Sequence, residues 1–185
     1  MTRVGSGQRL MRWRAMPLTA APALTQTATI SAGIFIADQL TKHALTHTFR
    51  PGDSLPLLPS LLQLTYVQNT GAAFGLFKGQ QALFVVLSLA VIGWIGWEAW
   101  TRPLRAGFVR WGCALVAGGA AGNLVDRLRF GYVVDFIDLR VWPVFNLADS
   151  AITVGVGLLL WHSLRRRHST SDQPQHAKSQ IPNSK

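Results

Sequence analysis

The chain has few charged residues, and especially few acidic ones, for its length. Of its 185 residues 14% are charged, with 8 acidic against 18 basic side chains, whereas 49% are apolar. Because soluble domains carry about 25% charged residues, this composition favours a membrane protein. The single cysteine, Cys113, excludes an intramolecular disulfide and provides no zinc-ligand spacing.

The basic excess gives a formal net charge of +10 without indicating nucleic-acid binding. The Lys and Arg residues lie in short flanks between apolar runs and do not form one basic face with interleaved aromatics. His43 and His47 have the i,i+4 spacing of two metal ligands, yet no Glu or Cys lies near them in the sequence. We therefore expect no nucleic-acid partner, no metal and no cofactor.

Five uncharged runs approach the length of about 20 residues that a helix needs to cross the hydrocarbon core. They are 15–37, 54–77, 79–97, 111–125 and 150–164. The second run is interrupted by prolines and glycines, and residues 62–68 alternate apolar and polar side chains as a half-buried strand does. This run is therefore predicted to be an extracytoplasmic sheet element, which leaves four membrane helices.

The basic residues support four spans, because Lys and Arg concentrate on the cytoplasmic side of a membrane. With four spans both tails and the central loop face the cytoplasm, and these segments hold most of the basic residues: Arg3, Arg9, Arg12, Arg14, Arg102, Arg105, Arg110, Arg165, Arg166, Arg167, Lys178 and Lys185. A fifth span would place the two tails on opposite faces. The predicted helices are 27–44, 80–100, 108–127 and 144–164.

The predicted fold is an all-α membrane protein with four transmembrane helices and a small extracytoplasmic β-rich element. A basic cytoplasmic extension occupies 1–24, the transmembrane domain 25–165 with its β-rich insertion at about 46–78, and a disordered cytoplasmic tail 166–185. Most acidic residues then lie at the outer face of the membrane: Asp38, Asp53, Asp126, Asp135, Asp138 and Asp149.

Acidic residues at the outer ends of the helices are the main candidates for a functional site. An ionised carboxylate next to hydrocarbon is costly unless it is paired, hydrated or neutralised. Asn123 and Asp126 are three residues apart, as are Asn146 and Asp149, so each pair shares a helix face. The short connection between these helices carries Asp135 and can bring its carboxylate towards Asp149.

Two neighbouring carboxyls can hydrolyse a peptide bond without a metal. Within hydrogen-bond reach of each other they cannot both stay ionised, so one pKa rises and the pair shares a proton. The ionised partner takes a proton from water, while the protonated one polarises the scissile carbonyl and protonates the leaving amine. Asn123 and Asn146 would orient the carboxylates or hold the substrate, and Arg127 would pair with Asp126.

Structural roles compete with functional ones at several of these positions. Asp38 and Lys42 have the spacing of an i,i+4 ion pair, with substrate orientation as a second role. Asp126 and Arg127 have the character of an interfacial ion pair with a mainly structural role. Gly71 either lets the backbone approach a substrate or simply forms a turn.

Two other classes of function stay open on these residues. Clustered aspartates also bind magnesium through oxygen, which suits a metal-dependent lipid head-group transferase. Intramembrane acids also act as relays in proton-coupled transporters, although four short spans without a visible repeat leave little room for alternating access.

Five ordered motifs lie between residues 38 and 150. They are Asp38-Gln39-Leu40-Thr41-Lys42, Asn69-Thr70-Gly71-Ala72-Ala73-Phe74-Gly75, Gly118-Gly119-Ala120-Ala121-Gly122-Asn123-Leu124-Val125-Asp126-Arg127, Gly131-Tyr132-Val133-Val134-Asp135-Phe136 and Phe145-Asn146-Leu147-Ala148-Asp149-Ser150. Together they resemble the lipoprotein signal peptidase family, the type II signal peptidases of bacteria.

The resemblance implies a multi-pass inner-membrane aspartic endopeptidase with its site at the outer face. Such an enzyme removes the signal peptide from prolipoproteins, cutting before a cysteine that carries a diacylglyceryl group. The implied catalytic pair is Asp135 and Asp149. The implied substrate-binding or supporting residues are Asp38, Lys42, Asn69, Gly71, Asn123, Asp126, Arg127 and Asn146. The resemblance also implies contact with membrane lipid and inhibition by globomycin-type cyclic peptides.

Overall fold

Four helices and three short strands make up the part of the chain that the computed structural model describes, which is residues 21–71, 77–101 and 107–171. In chain order they are α1 (Ala21–Thr48), β1 (Ser54–Leu58), β2 (Leu62–Asn69), α2 (Gln81–Thr101), α3 (Gly107–Phe130), β3 (Val133–Asp138) and α4 (Leu147–Ser171). The protein is thus mostly helical with a small antiparallel sheet, as the sequence predicts.

Three helices in these ranges are long and apolar enough to cross a membrane. They are Gln81–Thr101, Gly107–Phe130 and Leu147–Arg166, with mean hydropathies of 1.9, 1.2 and 1.4. The 28 residues of α1 are not among them, because Thr, Gln, Asp38 and Lys42 dilute its apolar side chains. Of the four predicted spans, three therefore have the composition of a membrane helix.

The central helix is α3, which packs against the other three helices. Its small residues let neighbouring backbones approach closely. A methyl group on Gly118 would lie 2.6 Å from the carbonyl oxygen of Ser31 in α1, and one on Gly119 would lie 2.5 Å from that of Ala148 in α4. These two glycines therefore let α1 and α4 pack closely against α3.

The sheet has the order β1-β2-β3 and is antiparallel throughout. In the register of β2 with β3, Val67 faces Asp135 and Asn69 faces Val133, after an irregularity between Leu64 and Val67. Strand β2 confirms the strand predicted at 62–68. Strand β1 lies within the β-rich insertion predicted at about 46–78. Strand β3, which contains one of the two central aspartates, was not predicted.

The predicted start of the fourth helix at residue 144 is wrong. Phe145 is extended and forms an isolated bridge with Ile137 of β3, so the helix begins only at Leu147. This short pairing holds the start of α4 beside the sheet.

Two predicted segments lie mostly outside the described residues. The helix α1 begins at Ala21, within the extension predicted at 1–24, and α4 continues to Ser171, within the tail predicted at 166–185. Residues 1–20 and 172–185 of these segments, and 72–76 of the glycine-containing motif, are outside the described ranges.

Candidate active site

Asp149 lies in the first turn of α4, where Asn146 holds it. The Oδ1 atom of Asn146 accepts a hydrogen bond from the Asp149 backbone N–H at 2.9 Å, and Oδ2 of Asp149 accepts one from the Asn146 backbone N–H at 3.3 Å. This reciprocal pattern is a capping box, and a helix N-terminus stabilises negative charge. The three-residue spacing seen in the sequence thus places the carboxylate at the start of the helix.

Asp135 lies in β3 and is only 1% exposed. Its Oδ2 accepts a hydrogen bond from Nδ2 of Asn69 in β2, and its Oδ1 accepts one from Nδ2 of Asn146, both at 2.8 Å. Asn69 is itself held through Oδ1, which accepts the Gly71 N–H at 2.9 Å. Asn146 therefore contacts both Asp135 and Asp149.

The two aspartates line the same cavity, which has a volume of about 580 Å³. The polar part of its wall includes Asn69, Asn123 and Arg127. The apolar part is formed by residues around the start of α4: Leu139, Trp142, Pro143, Val144, Phe145, Ile152 and Val154. The structure thus brings the two aspartates singled out in the sequence into one cleft with an extensive apolar wall.

Lys42 occupies a buried position behind this cavity. Its Nζ lies 2.8 Å from Asp38 Oδ2, 2.8 Å from Asp126 Oδ2 and 2.9 Å from Asn123 Oδ1. The predicted ion pair of Asp38 with Lys42 is confirmed, and Asp126 extends it to three charges. None of these three charged residues is part of the cavity wall, so their contacts are with the protein scaffold.

The buried ion network connects the elements that carry the two aspartates of the cavity. Asp38 Oδ1 accepts the backbone N–H of Ala148 at the start of α4 at 3.0 Å. Asp126 Oδ2 accepts the backbone N–H of Val134 in β3 at 3.2 Å. Since Ala148 precedes Asp149 and Val134 precedes Asp135, the network fixes the backbone next to both cavity aspartates.

The predicted pairing of Arg127 with Asp126 is wrong. Asp126 binds Lys42 instead, while the guanidinium of Arg127 lies 4.7 Å from the centre of the Phe84 ring. Consecutive residues on a helix point about 100° apart, so the two side chains face different sides of α3. Arg127 faces the cavity with Asn123, one turn away.

Gln39 had no predicted role, and it lies within the buried network. Its Nε2 donates to Asp126 Oδ1 at 3.0 Å and lies 3.3 Å from the carbonyl oxygen of Gly122 and from Asp38 Oδ2. The available signal was its position next to Asp38, within the motif Asp38-Gln39-Leu40-Thr41-Lys42.

Burial and charge act together on Asp135. Its pKa is raised from 3.8 to about 7, first by burial and then by the negative charge of Asp149. Hydrogen bonds from Asn69 and Asn146 and the charge of Lys42 oppose the rise. Asp135 therefore exchanges its proton near neutral pH, which a proton-transfer group in catalysis needs.

The fold and site define a membrane enzyme with a pair of aspartates in an apolar cleft, and comparison with known proteins agrees. The family model described as signal peptidase (SPase) II matches residues 30–165. The chain belongs to this family and is a membrane protease.

Relatives and solved structures support the assignment along most of the chain. A lipoprotein signal peptidase of Moorella thermoacetica is 47% identical over 135 residues, covering 71% of this chain and 87% of the relative. That of Pelotomaculum thermopropionicum is 44% identical, covering 77% and 93%. Two solved bacterial membrane enzyme structures have TM-scores of 0.75 and 0.69, at 30% and 32% identity, covering 81% and 76% of this chain and 94% of each solved chain.

Proposed function

We propose that Asp135 and Asp149 are the catalytic pair with which this protease processes prolipoproteins. The observation that carries the proposal is their placement: both line one cavity and both contact Asn146. The pKa of Asp135 near 7 suits a group that gives and takes a proton during the reaction.

In the proposed reaction the two aspartates divide the roles of base and acid. The ionised carboxylate takes a proton from a water molecule, whose oxygen attacks the scissile carbonyl carbon. The protonated carboxyl hydrogen-bonds to the carbonyl oxygen, and its proton then goes to the leaving nitrogen as the C–N bond breaks. The products are a new carboxyl terminus on the signal peptide and a free amine on the mature chain.

Residues in the cavity wall, together with the fully buried Asn146 behind it, would hold the reactants in place. Asn69 and Asn146 orient Asp135 through their amide donors. Arg127 faces the cavity from α3, where its charge can hold a substrate carbonyl. Gly71 lines the same cavity and is buried, so its backbone can approach an extended peptide.

The substrate class proposed is a prolipoprotein cleaved before a cysteine that carries a diacylglyceryl group. The apolar wall formed by residues around Trp142 and Ile152 suits lipid chains and small apolar side chains next to the cleaved bond. Acyl chains held in the bilayer would fix the depth of that bond, so binding energy far from the reaction serves orientation. Globomycin-type cyclic peptides would bind in the same cavity.

The proposed topology has four spans, with both termini in the cytoplasm and the cavity at the outer face of the inner membrane. As a helix of 28 residues, α1 is about 42 Å long, which is more than the hydrocarbon core requires. Its charged residues do not argue against a span, because Asp38 and Lys42 are buried and paired with each other.

Replacing each aspartate tests the proposal. Asp135→Asn and Asp149→Asn should each lower cleavage of a diacylated precursor by at least about a thousandfold, because each removes one proton-transfer step or the attack itself. The measurement is the mobility shift of the precursor on a gel, using purified protein in lipid bicelles, with and without a chelator.

The matched control is Asp53→Asn, which alters an exposed aspartate in the turn before β1. It should cleave at the wild-type rate, and the chelator should leave every rate unchanged. Wild-type turnover by the Asp135 or Asp149 variant would remove that residue from the pair. Loss of activity on chelation would favour the metal-dependent transferase type of site instead.

A further inference from the structure

The orientation of the Asn123 side chain is fixed by two donors that lie outside the cavity wall, Lys42 and Asn146. A carboxamide has an oxygen that accepts and a nitrogen that donates hydrogen bonds. The oxygen of Asn123 lies 2.9 Å from Nζ of Lys42 and 3.1 Å from Nδ2 of Asn146. Both of these groups only donate. The Asn123 oxygen must therefore face them, because rotation by 180° would set donors against donors.

With its oxygen turned towards Lys42, Asn123 presents its NH₂ group to the cavity. Nδ2 of Asn123 donates to Asp149 Oδ1 at 2.7 Å, the shortest hydrogen bond that this aspartate makes. A donor at that position stabilises the ionised carboxylate. The reversed amide would place its oxygen against the carboxylate and would favour the protonated form.

We infer that Lys42 is a positioning residue for the base of the reaction: by holding the oxygen of Asn123, it keeps the NH₂ group of that amide on the carboxylate of Asp149. The inference rests on the proposed function, because it assigns the water-activating role to Asp149 and the proton-donating role to Asp135. Lys42 itself is 3% exposed and does not line the cavity. Its influence on catalysis must therefore pass through its neighbours.

Other charged residues near Asp149 act on it directly and not through Asn123. Asp135 from β3 and Arg127 from α3 line the same cavity as Asp149. Asp38 and Asp126 lie behind it as the ion-pair partners of Lys42. A test of Lys42 must therefore separate the orientation of Asn123 from a plain change of net charge.

A charge-balanced pair of substitutions makes this separation. Lys42→Met combined with Asp126→Asn removes one positive and one negative charge, so the net charge of the buried network stays the same. Asp126→Asn alone is the matched control, since it keeps Lys42 and its hydrogen bond to Asn123. The measurement is kcat/KM for a diacylated precursor between pH 4 and 9, with thermal unfolding as the check on folding.

The acidic limb of this pH profile reports the ionisation of the base. The double variant should move this limb to higher pH, because a lost donor no longer favours the charged carboxylate, and Asn123→Leu should do the same. Asp126→Asn alone should not raise it, and Lys42→Arg, which keeps a donor-only cation, should restore the wild-type limb. Adding Asn123→Leu to the double variant should give no further shift, because both changes remove the same donor.

The inference would be overturned if the acidic limb of the pH profile lay at the same pH in the double variant and in the Asp126→Asn control. Lys42 would then serve stability alone. If the double variant does not fold, Lys42→Met with Asp38→Asn, compared with Asp38→Asn alone, makes the same charge-balanced test. Failure of the proposed function is seen separately, as turnover by Asp149→Asn. An inactive Asp149→Asn variant together with an unmoved limb in Asn123→Leu would reject only the inference.

Discussion

Two aspartates of the same chemistry acquire different properties from their positions. Asp149 stands in the first turn of a helix, where a backbone N–H and the Asn123 amide donate to it. Asp135 lies in a strand and is almost completely buried, so water does not stabilise its charged form. In the proposed reaction this asymmetry in environment would separate an acid from a base in a site made of two identical residues.

Stability should depend on pH through Asp135. Because its folded-state pKa is raised from 3.8 to about 7, the folded protein binds more protons than the unfolded chain between these values. Stability is therefore lost as the pH rises through this window. Asp135→Asn has no such ionisation, so its stability relative to wild type should be higher at pH 8 than at pH 5 by about 2–3 kcal/mol. Thermal unfolding at the two pH values measures the difference.

Asp138→Asn in the same strand is the control for this prediction. Burial raises the pKa of Asp138, but hydrogen bonds from the Arg140 backbone, Gln63 and Thr65 outweigh it and lower the pKa below 3.8. Asp138 is therefore ionised in both states above pH 5, and the effect of Asp138→Asn should not change between pH 5 and 8. The same constancy in Asp135→Asn would contradict the raised pKa of Asp135.

At the scale of the elements, close packing of α3 on α4 places Asp149 beside Asn123. The contact depends on Gly119, whose Cα faces the carbonyl of Ala148, the residue before Asp149. The small-residue stretch of α3 is visible in the sequence, but which helix meets which glycine follows only from the packing.

Gly119→Ala should displace α4 from α3. The added methyl would meet backbone that cannot rotate away, so stability should fall by about 1–3 kcal/mol, and cleavage should fall by about tenfold or more because Asp149 moves with α4. Thermal unfolding and the precursor assay measure the two effects.

Gly96→Ala is the matched control in α2, where an added methyl meets no atom within 4 Å. It should leave cleavage unchanged and keep or slightly raise stability, since alanine is the better helix former. Equal effects of the two substitutions would show that the contact between α3 and α4 does not position the site.

At the scale of the whole molecule, the apolar residues are distributed as a lipid environment requires. Large apolar side chains of α2 remain exposed, among them Val86, Leu87, Trp94 and Trp97, while the buried charged residues of the described chain are gathered where α1, α3, α4 and β3 meet. Lipid hydrocarbon can contact the apolar side chains on the outside of the bundle, and ion pairs stabilise the charged groups inside it.

The proposed topology can be tested by labelling single cysteines. Ser54→Cys at the start of β1 should react with a membrane-impermeant maleimide in right-side-out vesicles, because the sheet is expected at the outer face. Gly107→Cys, exposed at the start of α3, should react only after the vesicles are opened. The natural Cys113 is buried and gives the background. Reaction of Gly107→Cys in sealed vesicles would reverse the proposed orientation.

The sequence by itself determined the membrane class, the approximate helices, the strand β2 and the residues that gather at the site. These follow from local properties: the lengths of uncharged runs, the alternation at 62–68 and the three-residue spacing of Asn146 and Asp149. The motifs also led to the correct family.

Only the tertiary structure decided which of these residues meet. Strand β3 is six residues long and pairs with β2 from a distant part of the chain, so no local pattern marked it. Asp126 is next to Arg127 in sequence but binds Lys42, because helix geometry turns neighbouring side chains apart while packing brings α1 against α3. The orientation of Asn123 follows in turn, since hydrogen-bond direction depends on which donor the fold places beside the amide.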